Sequence, residues 1–189
     1  MAANKTTPLP PWASAKIEPK REFKFILTIG DIPAWVVLTA QRPDFTVSAG
    51  ATHQFLGHTF KYPGRLTWNQ FQIKLVEPID PDVSGVLFDA VKKAGYVLPS
   101  EWSADNEGWL QTFSKNNFTN GNLGDIAVKA LDSAGNMVEK WTLRNAWISG
   151  VNYGDLNYGS EALTTVTVTF QYDFADLEVF EPAQNNTLA

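Results

Sequence analysis

Cysteine is absent from the 189 residues. That removes thiol nucleophiles, zinc-thiolate centres and disulfide staples together, and suits a chain that folds in a reducing compartment. Long apolar runs are missing too: nowhere do eighteen apolar residues follow one another, so no helical membrane span is expected. The amino terminus, MAANKTTPLPPWASAKIEPKREF, has no apolar stretch of signal-peptide length, which predicts a protein not secreted by a cleaved signal. A concentrated basic footprint is also lacking, since the formal charge is −5 with both signs scattered. Sequence-specific nucleic-acid binding is therefore not expected. No G-x-S-x-G elbow, Walker loop or strand-linked G-x-G-x-x-G occurs, and nothing nominates a carboxylate pair among the twenty acids. The reading is of a non-enzyme without catalytic, cofactor-binding or metal residues.

What is plentiful is β-forming material: seven Trp, twelve Phe and five Tyr, with many Val, Ile and Thr. The length suits one domain with a core of its own. Residues 1–20, holding Pro8, Pro10, Pro11 and Pro19, read as an extended arm, because proline fixes φ and lacks a donor. Phe23, Phe25, Leu27 and Ile29 alternate with Lys24, Ile26 and Thr28 and predict a first strand. A second over 32–40, with Trp35, Val37 and Thr39, is expected to form a hairpin with it through Gly30-Asp31. Segment 42–64 alternates weakly around Gly50, Gly57, Pro63 and Gly64 and reads as a two-strand flap or long loop. Its apolar residues Phe45, Val47, Phe55, Leu56 and Phe60 are too few to bury it alone. The apolar phase slips between Trp68 and Phe71, which predicts a β-bulge or bend at Asn69-Gln70.

One helix, 82–95, is signalled by Asp82 as N-cap, by Val83, Val86, Leu87, Ala90, Val91 and Ala94 at helical spacing, and by Gly95 as terminator. Residues 97–124 form a polar insertion anchored by Trp102, Trp109, Leu110 and Phe113, with a short helix expected near 106–114. Strands are expected over 125–131, 137–148 and 163–174, with Asp132-Ser133-Ala134-Gly135 as the turn between the first two. The β-domain thus spans 21–180, followed by a flexible tail, 181–189. In TVTVTFQYDF, Val166, Val168, Phe170, Tyr172 and Phe174 face one way, and Thr165, Thr167, Thr169, Gln171 and Asp173 the other. That polar ribbon faces either open water or a wet channel.

Other groups point to structure before chemistry. His53 and His58, five apart, fall on opposite faces of a strand and lack the i, i+4 spacing of a helical zinc pair. Asp80, Asp82, Ser84 and Gly85 resemble the start of a calcium loop, but its twelfth position is Val91 where a bidentate Glu belongs. Trp35, Trp68, Trp141 and Trp147 lie in alternating strands and are expected in the core. Trp12, Trp102 and Trp109 lie in arm or loop segments and are candidates for contact with another chain.

In order, Leu131, Asp132 and Gly135, then Trp141, then Asn145-Ala146-Trp147-Ile148, then Val166 to Phe170 and Tyr172-Asp173 resemble the tail-tube proteins of contractile-tailed bacteriophages, the T-even-like family related to tubes of contractile injection systems. Pro63-Gly64 before Trp68, followed by one helix, extends the resemblance over about 22–176. The resemblance implies a mainly β fold, a curved sandwich or barrel of about six to eight strands with one flanking helix. It further implies six subunits closing a ring with a continuous inner β-barrel, stacked into the inner tube of a contractile tail that conducts DNA. Thr165, Thr167, Thr169, Gln171 and Asp173 would face the lumen, and absence of Lys or Arg among them would limit attraction to phosphates. Phe45, Val47, Phe55, Leu56, Phe60, Trp12, Trp102 and Trp109 would serve ring stacking and subunit contact. The implied partners are copies of the chain, the sheath protein, baseplate and tail-terminator proteins, and tape-measure protein and DNA in the lumen. The implied location is the virion, with assembly in the host cytoplasm. Other roles compatible with the sequence are a baseplate-proximal tube initiator, the tube of a phage-derived bacteriocin or injection system, and, from another class, an aromatic-rich carbohydrate-binding module.

Overall fold

Burial by two antiparallel sheets accounts for most of the core. The computed structural model describes residues 19–30, 32–102, 110–119 and 124–180. The first sheet runs β1 (Phe25–Thr28), β6 (Ile126–Leu131), β7 (Met137–Arg144), β10 (Phe174–Val179). The second runs β2 (Val37–Ala40), β5 (Phe71–Val76), β9 (Thr165–Gln171), β8 (Trp147–Asn152). Leu27, Ile126, Val128 and Leu143 from one sheet and Phe71, Ile73, Leu75, Val166, Val168, Phe170 and Ile148 from the other form a single buried cluster. Strand β9 shows why: its burial alternates at every residue, so its apolar set faces the core at no cost to its polar set. The fold is mainly β, as expected, with ten strands among the described residues where about six to eight were anticipated.

The extra strands arise where the chain changes sheets. Expected strand 137–148 is two strands, because Asn145 takes a left-handed φ of 55° and the chain then crosses from β7 to β8. Expected strand 163–174 likewise ends at Gln171, and Phe174 opens β10 in the opposite sheet. The Gly30-Asp31 hairpin is not formed: one bridge, Ile29 to Ile32, closes the turn, after which β1 pairs β6 and β2 pairs β5. A single helical turn at Ala34–Val36 buries Val36 and turns Trp35 outward, 64% exposed, so Trp35 is not a core residue. Of the bulge or bend expected at Asn69-Gln70, the structure has the bend: it is the joint between β4 (His58–Trp68) and β5, which belong to different sheets.

Helix α1 (Val83–Lys93) starts where the sequence places it, with the Asp82 carboxylate accepting from the Gly85 amide at 2.9 Å. It ends at Gly95, whose φ of +118° suits glycine alone and whose missing side chain leaves room for the Thr112 carbonyl. Val83, Leu87 and Ala90 bury its inner face in the common core. Within the insertion, 111–114 are not helical and a single turn, α2 (Lys115–Phe118), seats Phe118 in the core; 103–109 and 120–123 lie outside the described residues. Phe170 and Phe71 are cross-strand partners with ring centroids 6.1 Å apart, both fully buried. Phe170→Ala is expected to lower unfolding free energy by about 3–5 kcal/mol, read as a lower urea midpoint with little change in slope.

Candidate assembly surfaces

The ribbon of the second sheet that faces away from the core is polar and built by pairing. Thr169 stands opposite Gln72, Thr167 opposite Lys74, and Thr165 opposite Val76. On the other side Gly150, Asn152 and Trp147 stand opposite Thr169, Thr167 and Gln171. Gln72 Nε2 reaches Thr169 Oγ1 at 3.4 Å, and Ser149 Oγ donates to the Thr169 carbonyl at 3.1 Å. Thr165, Thr167, Thr169 and Gln171 are half-buried on this surface. Lys74 was invisible to an argument made from one strand: it joins the face through its register with Thr167, so the surface is not free of cations. Trp147 is also on this face and partly exposed, instead of in the core.

Asp173 lies past the end of β9, at the corner where both sheet crossings meet. Its amide donates to the Arg144 carbonyl at 3.1 Å, and its carboxylate accepts from Lys115 Nζ at 2.6 Å and Asn145 Nδ2 at 2.7 Å. These hydrogen bonds, Lys115 first, hold its carboxyl below the usual aspartate range. Beside it the Tyr172 hydroxyl donates to the Asp44 carbonyl at 3.4 Å, and burial, with the nearby Asp44 charge, pushes its phenol up to about 12. Tyr172 packs on Trp68, which meets Phe45 edge-on at 5.5 Å.

That aromatic trio anchors the root of a long arm. β3 (Phe45–Phe55) pairs with β4 in a two-stranded sheet separate from the other two, and nearly every residue of it is exposed. Asn69 ties the root, donating from its side chain to Asp44 at 2.7 Å and from its amide to the Asp44 carbonyl at 3.0 Å. Leu56 and Gly57, both at positive φ, make the tip. The pairings Phe45–Trp68 and Val47–Leu66 gather apolar side chains on one face of the root. At the tip, His53 pairs with Phe60 and Phe55 with His58, so the turn brings both histidines to one face, contrary to the single-strand expectation. Phe55 is 61% exposed and Leu56 85%, while Phe45, Val47 and Phe60 are exposed as well.

Among the described residues, the two flanks of the sandwich each carry an open strand edge and a groove. Between β1 and β2 a hollow of about 730 Å³ is lined by Phe23, Phe25, Leu38, Arg42, Glu139 and Trp141. Glu139 is buried there, bonded to Lys20 and to the Trp141 indole at 2.5 Å; burial raises its carboxyl, but these partners outweigh that and keep it low. Along β8 a second groove of about 330 Å³ is lined by Val91, Phe113, Phe118, Val151 and Tyr153. Trp102 is half exposed, its indole donating to the Val97 carbonyl at 3.3 Å; Trp12 and Trp109 lie outside the described residues.

Because the folded pKa of Asp173 is depressed, its stabilisation is present above the unfolded value of about 3.9 and lost as pH falls through the folded value. The pair is half exposed, which limits its worth to about 1 kcal/mol or less. Asp173→Asn should therefore cost no more than that at pH 7, and the difference from wild type should shrink as pH falls through the depressed folded value, measured by urea unfolding across pH.

Comparison with known proteins gives these surfaces a context. The family of T4-like virus tail tube protein gp19 matches residues 102–175. No curated protein matches the chain by sequence. Among solved structures, the sheath/tube terminator of the extracellular contractile injection system PVC superimposes with a TM-score of 0.62 at 17% identity, over 87% of this chain and 100% of that one. A chain of the 6-fold symmetrised anti-feeding prophage baseplate gives 0.58 at 15%, over 86% and 97%. A chain of the PVC sheath-tube complex in its extended state gives 0.56 at 15%, over 86% and 93%. The resemblance read from the sequence is borne out: this chain carries the contractile-tail tube-protein signature over residues 102–175 and the fold of contractile-injection tube, baseplate and terminator chains over most of its length.

Proposed function

We propose that this chain is a structural subunit of a contractile-tail tube, working by closing its second sheet with copies of itself around a hollow bore. One observation supports this most: the sheet β2-β5-β9-β8 has an apolar face packed on the core, a hydroxyl-rich opposite face and, among the described residues, an open edge on each side. An open edge invites strand addition, and closure into a barrel removes it. Six copies of a four-stranded sheet would make a barrel of about 24 strands. At a strand spacing of about 4.8 Å the backbone wall would be roughly 37 Å across before tilt widens it, a bore that passes a nucleic-acid duplex.

In that arrangement Thr165, Thr167, Thr169 and Gln171 line the channel together with Gln72 and Lys74. Hydroxyl and amide groups keep the bore wet, and the isolated Lys74 leaves a weak attraction for phosphate in a chain of net charge −5. The exposed hairpin, with Phe45, Val47, Phe55, Leu56 and Phe60, makes the contact between rings. The grooves beside β1/β2 and β8 take up neighbours within a ring. Sheath, baseplate and terminator proteins are the other partners, with tape-measure protein and DNA as lumen contents. The role is mechanical and not enzymatic.

Electron microscopy of the concentrated full-length protein should show stacked rings of indefinite length. Single rings that never stack would favour a baseplate or terminator role, and a monodisperse monomer whose tryptophan fluorescence is quenched by a sugar would overturn the proposal. Phe55→Ser with Phe60→Ser should abolish stacking while the unfolding midpoint stays within about 0.5 kcal/mol of wild type, because neither ring is buried in the lone chain.

A further inference from the structure

The second sheet has two unlike ends. At one, β5 begins and β9 finishes, and there the hairpin is rooted through Asn69 and Tyr172. At the other, about 17 Å away along the six residues of β5, the chain leaves Val76 into connection 77–82, and loop 153–164 joins β8 to β9. These two segments touch. The Glu77 amide donates to the Thr164 carbonyl at 3.0 Å, Gly154 lies so close to the Thr165 carbonyl that a Cβ would sit 2.8 Å from it, and Asn152 Oδ1 fixes the turn by accepting from the Gly154 amide at 2.8 Å. Together they form a rim.

Hairpin and rim are complementary in charge and alike in exposed apolar surface. Residues 45–68 contain Lys61, Arg65 and both histidines of the chain but no acid. Segments 77–82 and 153–163 contain five acids and no Lys, Arg or His. Glu77 and Asp82 serve locally, bonding Ser84 and capping α1. Asp80, Asp155 and Glu161 are exposed and take no hydrogen bond or ion pair among the described residues, nor do the side chains of Lys61 and Arg65. Between those acids the rim exposes Ile79, Leu156, Leu163 and a fully exposed Tyr158. An exposed apolar surface ringed by one sign of charge marks an interaction site.

We infer that the rim receives the hairpin of a second copy of this chain, so that rings stack head to tail with the basic, Phe-bearing arm of one seated on the acidic, apolar rim of the next. The inference rests on the tube reading and adds the receiving surface, its acidic residues and the charge pairing that seats the hairpin on it. A heterologous contact of this kind repeats without closing, as a tube of variable length requires. It uses opposite ends of one sheet, so each ring can give and receive at once.

The test is electron microscopy of full-length protein at matched concentrations. Lys61→Glu with Arg65→Glu, and separately Asp155→Lys with Glu161→Lys, should each raise the concentration needed for stacking by roughly tenfold or more, through like charges brought together. The four substitutions in one chain should restore long tubes, and so should an equal mixture of the two double variants, since each then offers what the other lacks. Normal stacking by either double variant, or failure of both the combined chain and the mixture to recover, overturns the inference while wild-type tubes leave the tube reading standing. A wild-type chain that forms no stacked rings overturns both.

Discussion

Strand β9 is held between β5 and β8 with Val166, Val168 and Phe170 wholly buried, and its two-residue period leaves threonines on the other face no freedom to turn inward. A one-residue slip would exchange the two sets and put hydroxyls in the core, so the register of the whole second sheet is fixed by burial. From that follow the position of Lys74 beside Thr167, the exposure of Trp147 beside Gln171, and the outward hydroxyl surface itself. The same constraint leaves β2 and β8 as edges.

The corner at Asp173 is what lets one chain build both sheets. Two crossings, β7 to β8 and β9 to β10, lie side by side, and a single aspartate bridges them through its amide to Arg144 and through its carboxylate to Asn145 and Lys115. The neighbouring Tyr172 reaches to the hairpin root, so the Tyr-Asp pair connects the sandwich to the arm. A motif that looks like the end of a strand is therefore a joint. Its chemistry is geometric, fixing where the exposed hairpin leaves the domain.

Charge is distributed by location more than by total. A net −5 spread over the chain conceals a hairpin without acids and a rim without bases at opposite ends of one sheet. On the first sheet Arg144 pairs with Asp125 and Asp176, and Lys140 with Glu178. Exposed pairs of this kind add little stability, and they keep that face hydrated. Asp80, Asp155 and Glu161 on the rim and Lys61 and Arg65 on the hairpin take no such partners among the described residues, and they lie beside exposed Ile79, Tyr158, Phe55 and Leu56.

The local features were legible in the residues because they depend on neighbours along the chain. Asp82 and Gly95 bound helix α1, the alternation from Thr165 to Gln171 sets the two faces of β9, and Asp132 to Gly135 makes its turn, since capping, period and positive φ act over a few residues. What the sequence did not disclose was which strand pairs with which. Gly30 and Asp31 carry the marks of a hairpin turn, yet β1 finds its partner roughly a hundred residues away and β2 roughly thirty-five, and those pairings depend on how much apolar surface each placement buries. The tryptophans show the same limit: alternation placed Trp35 and Trp147 in strands but could not tell which side of the sheet would be covered. The sequence by itself determined the elements and the faces of each, through short-range sterics and periodicity. Only the tertiary structure decided their neighbours, because long-range pairing, sheet crossings and the gathering of distant like charges at one end follow from packing the core as a whole.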